Sequence, residues 1–188
     1  MKRIALMIVC IAFCFVSAKA QYRFPRIDAS VADIVYYPLS ATYIGQPPKI
    51  KIVYSRPLKN GREVFGGLQK FGEVWRAGAN EATEIHFYVP VKLGDKQIPA
   101  GTYTLYVIPE KDKWTIIINS NIDKFGINRD GTITEDPAKD VTRFSVPVKS
   151  LDNELEAFSM TFTDRPDGAN LVMGWDKTAV EVPITFNK

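Results

Sequence analysis

The sequence predicts an all-β protein: an antiparallel β-sandwich, with a jelly-roll as one of its forms, and a long glycine-rich loop carrying short helical turns. Three observations predict it. Apolar residues recur at every second position in run after run, which puts one face of each run on a core and the other toward water. The runs are short and separated by Gly, Pro and Asp clusters with turn chemistry. No amphipathic pattern of helical period extends beyond two turns.

The first element is not part of that domain. Lys2 and Arg3 precede an uncharged run from Ile4 to Val16, and Ala18-Lys19-Ala20 offers a small-x-small cleavage site. Residues 1–20 therefore read as a secretory signal peptide, cleaved after Ala20, with residues 21–188 as a single β-sandwich domain. The apolar run would reach about 20 Å as a helix, short of a membrane's hydrocarbon core. No other stretch is long and apolar enough to span, so no transmembrane segment is expected after cleavage. The expected location is the periplasm or the extracellular space.

Cleavage changes the chemistry of what remains. Both cysteines, Cys10 and Cys14, leave with the leader, and with them thiol catalysis, disulfides and thiolate metal ligands. Three of the 24 basic residues leave too, and none of the 21 acidic ones. The net charge of +3 thus belongs to the leader, and a nucleic-acid partner is not expected. One histidine cannot build a histidine-rich metal site, and no metal or cofactor is expected.

The strands follow in order. Ile50, Ile52 and Tyr54 alternate with Lys49, Lys51 and Val53. Ile85, Phe87, Val89, Val91 and Leu93 form a second alternating set, read as one strand. Gly94-Asp95 and Pro99-Ala100-Gly101 mark turns, and Tyr103, Leu105 and Val107 begin the next strand. Glu110 to Lys113 reads as a polar hairpin loop leading to Trp114, Ile116 and Ile118. A polar, irregular excursion over 120–140 precedes sets at Phe144–Val148 and Phe158–Phe162. Arg165-Pro166-Asp167-Gly168 is a turn before Leu171, Met173 and Trp175. Asp176-Lys177 is read as the turn into a last strand through Val180, Val182, Ile184 and Phe186. The tally is eight or nine strands.

Residues 55–83 break the rhythm. Five glycines fall there (Gly61, Gly66, Gly67, Gly72 and Gly78), with Arg56, Arg62 and Arg76, Glu63, Glu73 and Glu81, Asn80, and Phe65, Phe71 and Trp75. So long a connection in a compact β domain is usually functional or specially packed. Short helical turns are expected around Glu63–Gly66 and Phe71–Trp75.

The same segment carries a resemblance. Tyr54-Ser55-Arg56-Pro57, Gly61-Arg62, Phe65-Gly66 and Val74-Trp75-Arg76-x-Gly78-Ala79-Asn80-Glu81-x-Thr83 resemble the signature of an uncharacterised bacterial family, domain of unknown function 2911. Pro99-Ala100-Gly101-Thr102-Tyr103, Ile108-Pro109 and Trp114-Thr115 resemble its later elements in the same order. Phe125-Gly126 departs from the pattern, which carries Trp-Gly and a following Tyr. The resemblance implies an exported β-rich protein and carries over no catalytic residue.

The chemistry is weighed residue by residue. Arg56, Arg62, Trp75, Arg76, Asn80 and Glu81 form the candidate ligand-binding set: arginines clamp carboxylates or phosphates, and an indole stacks on a sugar ring. A glycan or a small anionic ligand is the corresponding partner. The competing reading is that these residues brace the loop, because its buried backbone groups must be paired. Glu73 and Glu81 could serve as the acid and nucleophile of a glycan hydrolase if their carboxyl groups face one sugar bond. The 55–83 loop could instead be the partner interface of a structural envelope protein. His86 lies on a strand's polar face with no nucleophile elbow beside it. Tyr88, Thr104 and Tyr106 are read as exposed strand residues. Asn128-Arg129-Asp130-Gly131 fails the EF-hand spacing, since Gly126 and Pro137 would hold its first and last ligand positions.

Overall fold

The structure, a computed structural model, describes residues 22–186. The expected export segment lies outside these residues. Nine strands make up almost all of the regular structure: β1 (Ala32–Tyr37), β2 (Ile50–Ser55), β3 (Glu84–Phe87), β4 (Val91–Leu93), β5 (Lys96–Ile98), β6 (Gly101–Pro109), β7 (Lys113–Asn119), β8 (Asp140–Arg165) and β9 (Gly168–Phe186). One helical turn, α1 (Ala41–Ile44), and a 3-10 turn (Pro137–Lys139) are the helical pieces among the described residues. No helix among them is long and apolar enough to cross a membrane.

Every pair is antiparallel, and all nine strands join in one sheet in the order β1-β2-β3-β6-β7-β8-β9-β4-β5. The all-β antiparallel expectation holds in that form. The long strand β8 carries the connection between the two ends. Its first part pairs with β7 over 140–147, and its remainder pairs with β9 over 148–165. The register shifts between Ser150 and Leu155 and again between Leu155 and Ser159, irregularities that bend a strand. The sheet curls there, so that β1 and β2 pack against β8 and β9. Tyr54 of β2 packs edge-on against Phe158 of β8, with ring centroids 5.9 Å apart, and its hydroxyl accepts the Met160 N–H at 2.9 Å. Tyr37 of β1 lies between Phe162 and Phe186.

The period-2 reading of β2 is borne out: Ile50, Ile52 and Tyr54 are buried and their alternates half-buried. In β6 and β7, Thr104 to Val107 and Ile116 to Asn119 are buried on both faces. The aromatic core lies under one face. The 120–139 excursion lies over the other, where Ala82, Tyr106 and Ile117 form a second small cluster with Val74, Ile108 and Ile133.

Several sequence expectations are corrected. The set from Ile85 to Leu93 is two strands, because Pro90 has no N–H to give a ladder and its ring restricts Val89. β3 pairs with β2 and β6, whereas β4 pairs with β5 and β9. The sets at Phe144 and Phe158 are one strand, and the chain passes Asp176 without leaving β9. Asp176 takes a left-handed φ of 55° beside the bulged part of β8, so a strand irregularity replaces the expected turn. The 55–83 loop contains turns and isolated bridges but no helix, since left-handed residues at Asn60, Gly61, Gly66 and Gly72 interrupt any helical run. Thr104 and Tyr106 are not exposed: the excursion covers them, and Tyr106 is 0% exposed. β1 and β5 were not anticipated, so the nine strands fall within the expected eight or nine but with different members.

The β8–β9 turn is a sensitive point. A Cβ on Gly168 would collide with the carbonyl oxygen of Ile184, which belongs to the backbone of β9 and cannot swing aside. Gly168→Ala is expected to lower stability by about 2–3 kcal/mol in denaturant unfolding. Gly61→Ala meets no atom within 4 Å and should lose only about 1 kcal/mol, through its left-handed backbone.

Candidate functional site

The long loop is seated by Trp75. Its backbone exchanges two hydrogen bonds with Val107 of β6, at 2.7 and 2.9 Å, as an isolated bridge. Its indole stacks on Trp175 at 5.8 Å and contacts Phe158 at 4.8 Å and Trp114 at 6.2 Å. The indole N–H donates to the Gly78 carbonyl at 2.9 Å. Trp75 is 3% exposed, so both ring faces are already occupied by the core. The next turn is tight. Ala77 and Asn80 have positive φ, and the Thr83 hydroxyl donates to the Ala77 carbonyl at 2.7 Å. A Cβ on Gly78 would stand 3.0 Å from the Ser55 carbonyl oxygen, so only glycine fits there without a shift.

The three arginines have different fates. Arg56 is held on three sides: Nε donates to the Phe158 carbonyl at 3.1 Å, Nη2 to Ser159 Oγ at 2.6 Å, and Nη1 to Asp33 at 3.3 Å. It ties β2 to the far part of β8 and to β1. Arg62 is exposed and donates to the carbonyls of Lys59 and Leu58 at 2.9 and 2.7 Å. Lys59 itself reaches Asp176 at 2.8 Å and Glu154 at 2.9 Å. Arg56 and Arg62 thus act as braces of the loop.

Arg76 has no such partners. Its side chain makes no hydrogen bond or ion pair among the described residues, and its Nε is buried without an acceptor. Burial alone pushes its guanidinium below the ordinary arginine value. The side chain passes beneath Gly126, where a Cβ would strike its Cδ; Gly126 has φ 93°. It lines a cleft of about 310 Å³ between the 68–78 part of the loop and the excursion, whose walls include Gln69, Lys70, Glu73, Ile127 and Ile133. Glu73 is exposed and 3.9 Å from Lys70, an ion pair of little strength. Ile127 and Ile133 are bridged, and Thr134 N–H donates to the Gly126 carbonyl at 3.1 Å, so this wall is itself fixed.

Asn80 and Glu81 lie elsewhere. Glu81 is exposed and lines two adjoining depressions on the other side of the excursion, one of them together with Asn80. The structure therefore places Arg76 and Glu73 in one cleft and Asn80 and Glu81 in another groove. Glu73 and Glu81 line different depressions. His86 is half-buried on β3, with Nδ1 2.7 Å from Thr102 Oγ1 and its ring 4.3 Å from that of Tyr88. Asp130 accepts the N–H and hydroxyl of Thr132, which closes a local turn and holds its carboxyl below the usual range. No group of three metal-ligating side chains is found among the described residues.

Sequence reasoning missed the second wall of the Arg76 cleft. The glycines at 126 and 131, both left-handed here, were the signal that the excursion turns sharply and approaches another segment. A family model described as "Protein of unknown function (DUF2911)" matches residues 39–184. No curated protein and no solved structure matches the chain.

The difference between the arginines can be measured. Arg56→Ala strands the Phe158 carbonyl and is expected to cost about 1–3 kcal/mol in chemical denaturation. Arg62→Ala, on exposed carbonyls that water can serve, should leave the midpoint almost unchanged. Trp75→Ala should cost about 3–5 kcal/mol, the largest loss of the three.

Proposed function

The chain belongs to the DUF2911 family, and on that premise we propose that it is an exported, non-enzymatic accessory domain of the bacterial cell envelope that binds a small anionic ligand at Arg76. The unpartnered guanidinium carries this reading. A half-buried charge whose Nε has no acceptor is costly, and a guanidinium stays protonated at neutral pH even when burial lowers its value. A carboxylate or phosphate entering the cleft would supply two parallel hydrogen bonds and replace the missing counter-charge. Lys70 adds a second cation at the rim, and Gln69 a neutral donor. The cleft volume suits a small metabolite or the charged end of a larger one, such as the carboxylate of an acidic sugar. That last case joins the glycan and anion partners in one chemistry.

Export is supported by residues 1–20, with their basic start, uncharged run and Ala18-Lys19-Ala20. Arg56, Arg62 and Trp75 would serve this site by holding the loop rather than by touching the ligand. The hydrolase reading has no comparable support, because Glu73 and Glu81 do not face each other across one cleft.

Arg76→Met separates this proposal from a bracing role. It removes a half-buried charge with an unsatisfied Nε and keeps much of the side chain's packing, so the ligand-free variant should gain about 1 kcal/mol, read as a melting temperature about 2–4 °C higher. A thermal-shift panel of inorganic phosphate, sulfate and small carboxylates should stabilise the unaltered protein by mass action and leave Arg76→Met unmoved. Absence of any shift with folded protein, or a variant less stable than its parent, would overturn the proposal.

A further inference from the structure

The residues before β1 form an exposed arm that the ligand reading does not use. Tyr22, Phe24 and Ile27 are 86%, 87% and 93% exposed, and Arg23 and Arg26 stand between them without an ion pair among the described residues. An exposed aromatic-and-basic segment of this kind is more apolar than an ordinary tail and calls for a covering surface. The arm starts at a groove. The Ser30 N–H donates to Asp28 Oδ1 at 2.7 Å and turns the chain, and Ile27, Asp28, Ser30, Val31 and Ala32 form one wall. Two depressions of about 330 and 410 Å³ share Ala32, Ser55, Glu81 and Phe125 and so make one continuous groove over the outer ends of β1, β2 and β3. Its apolar side is Phe125, 63% exposed, with Val31, 52% exposed. Its polar side carries Glu81, Glu84 and Asp123, none of them ion-paired among the described residues, against Lys124 alone.

We propose that this groove seats the Tyr22–Arg26 arm of a second copy of the chain, and that two copies exchange arms reciprocally. The arm matches the groove in both respects: its aromatics meet Phe125 and Val31, and its two arginines meet the surplus carboxylates. The arm also leaves from the groove's own wall. A twofold interface needs donor and acceptor patches beside one axis, and here they are adjacent, so a five-residue arm reaching about 17 Å suffices. The exchange places β1, an edge of the sheet, under cover, which natural sheets need.

The test measures mass by light scattering on the chain from Gln21 onward. The unaltered chain should be a dimer at micromolar concentration, and salt should weaken it. Removal of residues 21–26, which leaves the Ile27 wall in place, should raise the dissociation constant at least about tenfold. The double variants Arg23→Glu/Arg26→Glu and Glu81→Lys/Glu84→Lys should each be monomeric, with melting temperatures confirming that they fold. Mixing the two should restore a dimer, because each arm then meets a groove of opposite charge. A monomer at all concentrations, a dimer indifferent to the arm, or a mixture that stays monomeric overturns the proposal; the last two point to β1 pairing edge to edge or to a seat elsewhere.

Discussion

Trp75 lies among Trp175, Phe158 and Trp114 and is joined to Val107 by two backbone hydrogen bonds. The segment around it has no ladder of its own, so this burial holds it in place. A fully buried large aromatic is worth a few kcal/mol, more than any exposed hydrogen bond in the loop. The neighbouring residue inherits its position from that anchor. In an extended bridge successive side chains take opposite sides. With Trp75 in the core, Arg76 is turned outward, under Gly126 and into the cleft. The candidate site is therefore a consequence of core packing one residue away.

Arg56 and Arg76 show how environment divides one side chain into two roles. Arg56 gives its donors to a carbonyl, a hydroxyl and a carboxylate, and joins β2 to β8 across the curl of the sheet. Arg76 is covered to a similar degree and meets none of these. A chain selected only for stability would not keep a half-buried cation with an unsatisfied Nε beside apolar Ile127 and Ile133 when an uncharged side chain would fill the space. The unpaired charge is thus an argument for a ligand, and the argument rests on the absence of partners rather than on the residue type.

The alternation in Ile50 to Tyr54, and the turns at Gly94-Asp95, Glu110–Lys113 and Arg165–Gly168, were legible because they depend on neighbours in sequence. What escaped was set by distant contacts. Nothing local to β8 says that its two halves are one strand bent between β7 and β9. Nothing local to Tyr106 says that residues twenty or thirty positions later will cover it. The candidate site was legible only in part for the same reason. The composition of 55–83 marked the loop as special, but whether each arginine has a partner depends on Phe158, Ser159 and the excursion, all remote in sequence.

The excursion over 120–139 turns out to separate two surfaces. On one side it forms the wall of the Arg76 cleft through Ile127 and Ile133; on the other, Asp123 to Phe125 form the wall of the groove that holds Glu81. Between them, the Ala82 N–H donates to the Lys124 carbonyl at 3.0 Å and Gly126 rests on the Arg76 side chain. Gly126 therefore matters twice: its left-handed conformation lets the excursion turn, and its missing side chain lets Arg76 pass beneath. Any larger residue there would strike the Arg76 Cδ and crowd the Ala82 N–H that holds Lys124, so one change would disturb both the Arg76 cleft and the acidic groove although they share no lining residue.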